Sequence, residues 1–121
     1  MDKKPTTILI ADDDEIALDV GKKMVERMGF NVLAAQDGPE AIRVYKNNKD
    51  IIGLVISDAI MPGNGEHLLK EIRKIDPDAK ILITSGDLSK KPGILEKKID
   101  GFIEKPYFFK ELSEIISKVL S

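Results

Sequence analysis

The sequence contains no cysteine and no tryptophan, and it has a single histidine. Without cysteine, neither a disulfide framework nor a thiolate metal site can form. The first seven residues, MDKKPTT, lack the apolar stretch that a secretory signal peptide needs. These absences predict a cytoplasmic protein.

An excess of charge of either sign is also missing, since 19 Lys and Arg residues stand against 21 Asp and Glu residues. This balance gives no electrostatic footprint for nucleic acid or for an anionic membrane. The longest apolar run, residues 51–56, contains a glycine and is far shorter than the ~20 residues that span a bilayer. We therefore expect no nucleic-acid partner and no membrane segment. The length of 121 residues predicts one domain, residues 1–121.

Short apolar runs alternate with longer amphipathic stretches along the chain. This alternation is typical of strand–helix units around a parallel sheet, and five such units fit. Because several runs are apolar on consecutive residues, both faces of the sheet should be covered. The prediction is an α/β fold, a doubly wound five-stranded parallel sheet with helices on both faces. The predicted strands are residues 7–11, 31–35, 53–57, 80–84 and 101–104.

The amphipathic stretches predict five helices. Pro39 favours a helix start, because proline suits the first helical position. Pro92 delays the fourth helix, which should be short. The predicted helices are residues 15–28, 39–46, 66–75, 94–99 and 108–120.

Two of these helices have a clear apolar stripe in the sequence. The first helix is expected to bury Ala17, Val20, Met24 and Met28. The last helix is expected to bury Phe108, Leu112, Ile115, Ile116 and Val119.

Charged and hydroxyl side chains stand at the ends of four predicted strands, at Asp12, Asp13, Asp58, Thr84 and Lys105. Ligand sites of open parallel sheets lie outside the carboxyl ends of the strands, so these side chains should meet at one rim. Three carboxylates at close range repel one another unless a cation lies among them. Oxygen ligands without histidine or cysteine favour Mg²⁺. We therefore predict a Mg²⁺ site at this rim.

A simpler role is open to the same acidic run, because aspartate is a preferred helix N-cap. We assign that role to Asp14, which immediately precedes the first predicted helix. Capping does not account for the other two aspartates of the run together with Asp58 and Lys105.

These residues give the sequence a resemblance to the response-regulator receiver domains (CheY-like) of two-component signal transduction. The resemblance covers essentially the whole chain and is carried by four features in order. They are Asp12-Asp13, Asp58 followed by AIMP, Thr84 followed by a small residue, and Lys105-Pro106. It implies the flavodoxin-like strand order 2-1-3-4-5. The segments TSGD and GFIEKPY are further similar to receivers of hybrid histidine kinases.

The resemblance implies that Asp58 is the phosphoacceptor, taking a phosphoryl group from a phosphohistidine or a small phosphodonor. Asp13 and Asp58 would bind Mg²⁺ directly and Asp12 through water, and the backbone carbonyl of Ile60 would complete the protein ligands. The chain would catalyse only its own phosphorylation and dephosphorylation, so we do not expect an enzyme with a separate substrate.

The resemblance also assigns a conformational response. Lys105 would contact the phosphoryl oxygens, Thr84 would move toward them, and Phe102 would turn inward behind Thr84. Phe102 fits a plain core position equally well. The Lys105–Pro106 bond is expected to be cis, which proline makes accessible.

Partners follow from the same resemblance. We expect a histidine kinase or a histidine phosphotransfer protein as donor, a downstream protein partner, and a monomer or weak dimer.

The loop after Pro62 is one residue shorter than in the family. Ile60 and Gly86 stand where side chains often tune dephosphorylation, and neither can orient a water. His67 is expected to be a solvated helix residue.

Two rival functions remain. A phosphatase of the haloacid-dehalogenase type has an Asp-x-Asp motif after its first strand, and Asp12 and Asp14 have that spacing. In such an enzyme the first aspartate would be the nucleophile, and more chain would be needed. The second rival is a receiver-like interaction module that works without phosphorylation.

Overall fold

The computed structural model describes residues 6–58, 65–86 and 99–121. In these residues five parallel strands form one sheet in the order β2-β1-β3-β4-β5. The predicted fold class and strand order are therefore confirmed. The strands are β1 (Thr7–Ala11), β2 (Asn31–Ala35), β3 (Ile52–Asp58), β4 (Ile81–Ser85) and β5 (Gly101–Glu104).

Four helices lie within the described residues. They are α1 (Glu15–Arg27), α2 (Gly38–Asn48), α3 (Gly65–Ile75) and α4 (Phe109–Leu120). The helix predicted at residues 94–99 lies outside the described residues except for Ile99. None of the described helices combines the length and the apolar character needed to cross a membrane.

Side chains of successive strand residues enter two separate cores, one on each face of the sheet. On one face, Leu9 of β1 packs in a core with residues of α2 and α3. On the other face, Ile8 packs in a core with residues of α1 and α4. Full burial of one such side chain contributes about 1.5–3 kcal/mol relative to exposure. Because both faces are covered, the central strands are apolar on consecutive residues, as predicted.

The buried face of α1 differs from the prediction. Leu18, Gly21 and Val25 are buried, whereas Val20 is 44% exposed. A pattern of apolar residues does not count a glycine as buried, although Gly21 lies against the core side of the helix. The predicted stripe is therefore displaced by one residue, and Met24 and Met28 pack at its margin.

Phe108 is a second correction, since its side chain is 68% exposed. The residue precedes α4 with extended backbone angles, φ −110° and ψ 166°, so it does not share the helical stripe. Its backbone N–H donates to Glu111 Oε1 at 3.2 Å, which satisfies one free donor at the helix start. The remaining predicted positions of this stripe pack in the core beside α1.

Both ends of β3 and both ends of β4 shift by one residue, and the new end of β3 bears on the site. β4 runs one residue further than predicted, to Ser85, and β3 includes Asp58. In this register Asp58 pairs with Thr84. Backbone pairing thus fixes two of the predicted site residues as neighbours at the carboxyl edge of the sheet.

Candidate functional site

Asp12 is held at the end of β1 by its own backbone and side chain. Its N–H donates to the carbonyl of Ala35 at 3.0 Å, which extends the pairing with β2. Its Oδ1 accepts the N–H of Asp14 at 2.9 Å. The residue is only 4% exposed, so its carboxylate has a fixed direction into the rim of the sheet.

Asp14 is the N-cap of α1, as predicted. Its Oδ1 accepts the N–H groups of Ile16 at 2.9 Å and Ala17 at 3.3 Å. These bonds satisfy two of the free donors at the helix start. Its side chain is thereby directed to the helix rather than to the cluster beside it.

Three carboxylates come together at the rim. One carboxylate oxygen from each of Asp12, Asp13 and Asp58 lies within 4.8 Å of the other two. Asp12 is buried, Asp58 is half-buried and Asp13 is exposed. The three carboxylates therefore lie close together, as predicted, and the cluster is open to solvent on the side of Asp13.

Lys105 bridges two of these carboxylates. Its Nζ donates to Asp12 Oδ2 at 2.7 Å and to Asp58 Oδ2 at 3.1 Å. Burial opposes the charged form of the amine, but the hydrogen bonds and charges of the two carboxylates outweigh it and raise the pKa of Lys105. The side chain therefore stays cationic and neutralises part of the cluster.

The backbone around Lys105 is also fixed. Its N–H donates to the carbonyl of Ser85 at 2.7 Å, which continues the β4–β5 pairing past the end of β5. The Lys105–Pro106 peptide bond is cis, as expected. The ammonium is thus presented from the end of the last strand to carboxylates at the ends of the first and third strands.

Thr84 and Phe102 occupy different register positions. Thr84 is 2% exposed and pairs with Ile103, whereas Phe102 pairs with Ile83 and packs in the core shared with α2 and α3. The two predicted switch residues are therefore on adjacent pairs of β4 and β5. They do not form a register pair with each other.

Three other predicted positions have different outcomes. His67 is exposed on α3, as expected. Gly86 is exposed, and a Cβ placed there would have no heavy atom of the described residues within 4 Å. Ile60 and the shortened segment after Pro62 lie outside the described residues, apart from the start of α3.

The donor set fits a small divalent cation. All three clustered groups are carboxylates, which are the hard oxygen ligands that Mg²⁺ prefers. Lys105 supplies one positive charge against three negative ones, so the cluster retains an excess of negative charge. The exposed side of Asp13 leaves room for waters, which Mg²⁺ usually keeps.

Sequence reasoning missed the surroundings of Lys105. An open groove of about 410 Å³ adjoins it, and Ile16, Val20 and Tyr107 line this groove with Lys105. We call this feature the α1 groove. Ile16 is 77% exposed, so α1 presents apolar side chains to solvent beside the carboxylate cluster. The aromatic residue after Lys105-Pro106 was the one sequence signal that could have indicated it.

Comparison with known proteins agrees with the fold and the residue pattern. A model of the response regulator receiver domain matches residues 8–117. The sensor kinase CckA of Brucella abortus is 30% identical over 119 residues, which cover 95% of this chain and 12% of CckA. The chain spans less than half the length of such curated relatives.

Solved structures show the same architecture. A response regulator receiver domain protein from Clostridium thermocellum has a TM-score of 0.87 at 30% identity, covering 95% of this chain and 94% of its own. The CheX-CheY-BeF3-Mg complex from Borrelia burgdorferi gives 0.88 at 29% identity, covering 97% and 90%. Since the family model spans nearly the whole chain, the chain belongs to the response regulator receiver domain family of two-component signalling.

Proposed function

We propose that Asp58 accepts a phosphoryl group from the phosphohistidine of a donor protein or from a small phosphodonor. The observation that carries this proposal is the Lys105 ammonium, which bridges Asp58 and Asp12 inside a cluster of three carboxylates at the open rim. The Lys105 ammonium offsets part of the negative charge around Asp58. An anionic phosphodonor can therefore approach Asp58, whereas a carboxylate without a nearby cation would repel it.

The proposed transfer is a displacement at phosphorus. An oxygen of Asp58 attacks the phosphorus, an O–P bond forms, and the P–N bond to the donor imidazole breaks. The electron pair stays on the imidazole nitrogen, which then takes a proton from solvent. The product is an aspartyl phosphate, and the protein contributes positioning and charge neutralisation.

Receiver domains bind Mg²⁺ at their acidic pocket, and we assign that role here to Asp12, Asp13 and Asp58, with the backbone carbonyl of Ile60. Bound there, Mg²⁺ would neutralise charge on the transferring phosphoryl oxygens. Asp12 is directed toward the site by its bond to the Asp14 N–H. Asp13 is the exposed member and would leave the solvent side open.

Lys105 and Thr84 would act on the phosphoryl oxygens after transfer. The Lys105 ammonium already contacts Asp58 and would donate to an oxygen of the group attached there. Thr84 is paired with Asp58 across β3 and β4, so its hydroxyl starts close to the acceptor. Movement of Thr84 and Phe102 would then shift the population of conformers that a downstream partner binds.

The remaining proposals concern context. We propose one receiver domain over residues 1–121, a cytoplasmic location, and a monomer or weak dimer. Its donor would be a histidine kinase or a histidine phosphotransfer protein, and it would control a protein partner. A donor protein must approach Asp58 from the rim, where the α1 groove offers Ile16 and Val20 as apolar contacts.

Intact-mass measurement after incubation with acetyl phosphate and Mg²⁺ tests the acceptor. The wild type should gain the mass of one phosphoryl group, Asp58→Asn should gain none, and omission of Mg²⁺ should suppress the gain. Loss at Asp12→Asn with retention at Asp58→Asn would indicate the phosphatase mechanism instead. A wild type that never gains the mass would indicate an interaction module that works without phosphorylation.

A further inference from the structure

Tyr107 lies between the backbone that carries Lys105 and the middle of α1. Its side chain packs against the core shared by α1, β1 and α4, and it lines the α1 groove with Lys105. Burial raises the pKa of its hydroxyl, and the charges of Lys105, Asp12 and Asp58 also act on it. Tyr107 therefore belongs both to the core and to the surroundings of the carboxylate cluster.

Gly21 is the residue of α1 that receives this side chain. It is buried in the middle of the helix, where glycine costs about 1 kcal/mol relative to alanine. A Cβ at this position would lie 3.1 Å from Tyr107 Oη and 4.0 Å from Ile10 Cδ1. The Tyr107 hydroxyl is thus the atom that makes alanine a tight fit at Gly21.

The contact bears on Lys105 because only Pro106 separates the two residues. The Lys105 backbone is held on one side by the Ser85 carbonyl at 2.7 Å. On the other side it continues into Tyr107, which is seated on α1. A lysine side chain has about 2 kcal/mol of rotamer entropy, so a fixed backbone is needed to direct its ammonium to two carboxylates at once.

We propose that Tyr107 is a positioning residue for Lys105: its side chain, whose hydroxyl lies against Gly21 of α1, holds the backbone so that the ammonium reaches both Asp12 and Asp58. This inference rests on the proposed phosphoacceptor function. It assigns Gly21 a role in the reaction although Gly21 does not contact the site. The role is steric, because an added Cβ would displace the tyrosine and, through it, the lysine.

The proposal makes a prediction about two substitutions that interact. Gly21→Ala should lower the initial rate of phosphorylation by acetyl phosphate about fivefold, since small displacements of a reacting group are costly. Its thermal stability should not fall in parallel, because alanine favours the helix. Tyr107→Phe keeps the ring but removes the hydroxyl that the added Cβ would meet, so it supplies the background in which the effect of Gly21→Ala is measured again.

The double variant that combines Gly21→Ala with Tyr107→Phe is the decisive test of the positioning role. With the hydroxyl removed, the Cβ at position 21 has lost its nearest neighbour, so Gly21→Ala should no longer slow phosphorylation in the Tyr107→Phe background. Lys22→Ala, an exposed change on the same helix, is the matched control and should leave the rate unchanged. A merely structural role would change Tm without this rescue of the rate.

A second readout needs no phosphodonor. The NMR shift of the Lys105 backbone amide, which donates to Ser85, should change in Gly21→Ala and return in the double variant. An unmoved Lys105 resonance, or an equal loss of rate in both backgrounds, would overturn the positioning role. A wild type that gains no phosphoryl group while the Lys105 resonance responds as expected would instead overturn only the proposed function.

Discussion

Lys105 Nζ and Asp12 Oδ2 lie 2.7 Å apart, although 93 positions separate the two residues in the sequence. The pair joins the end of the last strand to the end of the first strand across the rim. Its side chains are 21% and 5% exposed, so solvent screens the interaction less than at an open surface. The pair therefore contributes to the fold as well as to the proposed chemistry.

Replacement of Lys105 by methionine should destabilise the protein in the absence of Mg²⁺. Loss of one partner leaves buried carboxylate charge uncompensated, and we expect about 2 kcal/mol less free energy of unfolding. Mg²⁺ should recover more stability in Lys105→Met than in wild type, because binding to the folded state stabilises it by mass action. Chemical denaturation with and without Mg²⁺ measures both effects.

Lys22→Met, a change of an exposed lysine on α1, serves as the control. It removes the same charge without touching the rim, so its stability should change by less than about 0.5 kcal/mol. Equal responses of the two variants to Mg²⁺ would contradict the assignment of Lys105 as the internal counter-charge of the cluster.

Thr84→Ala should separate phosphorylation from the conformational response. The acceptor Asp58 remains, so intact mass should still show the phosphoryl adduct. The hydroxyl that would contact the phosphoryl group is gone, so the NMR shift of Phe102 on addition of beryllofluoride and Mg²⁺ should shrink. Thr84→Ser keeps the hydroxyl and should retain most of the shift, and an undiminished shift in Thr84→Ala would count against the switch.

The rim was predictable from the sequence because it depends on topology. Parallel strands place their carboxyl ends at one edge, which puts Asp12, Asp58 and Lys105 on the same rim, and the resemblance to receiver domains implied the strand order that brings them together. The apolar runs identified those strands because a doubly covered sheet requires them. Neither step depends on side-chain packing.

The packing around the rim was not predictable in the same way. The α1 stripe was misplaced because Gly21 is buried for steric reasons, which hydrophobicity does not report. Phe108 was placed on a helix face although it caps the helix in an extended conformation. Tyr107 was overlooked because its role depends on a contact with a residue 86 positions away, by the difference of their numbers in the sequence. Such contacts follow from three-dimensional packing and have no periodic signal.

We expect the ionisation of Tyr45 to destabilise the folded protein at alkaline pH. It is 1% exposed, and burial, followed by the charge of Asp76 and a hydrogen bond to it, raises its pKa above the ordinary value of 10.0. The folded state therefore favours the neutral hydroxyl. Its contribution to stability is complete below pH 10.0 and is lost as the pH rises through the higher folded pKa.

Two measurements check this. With no tryptophan and two tyrosines in the chain, near-ultraviolet absorbance reports tyrosine ionisation directly. Both tyrosines should ionise above the ordinary value, since burial also raises the pKa of Tyr107. Tyr45→Phe should cost about 1 kcal/mol at neutral pH through the lost hydrogen bond and should weaken the alkaline loss of stability. A variant with the same alkaline loss as wild type would contradict the assignment.

Gly86→Glu should shorten the lifetime of the phosphorylated protein. Gly86 follows Ser85 just past β4, and a Cβ at this position meets no heavy atom within 4 Å in the part of the chain that the structure describes, so a longer side chain fits beside those residues. A carboxylate there can orient a water and take its proton, an assistance that typically contributes 10²–10⁴-fold when well placed. We expect a change of about tenfold, because the site was not built for that side chain. Decay of the phosphoryl adduct, followed by intact mass after removal of the donor, gives the lifetime. Gly86→Ala adds bulk without a carboxylate, so its phosphoryl adduct should decay like that of wild type. Equal decay in all three proteins would contradict the hypothesis that the lack of a side chain at position 86 leaves hydrolysis unassisted.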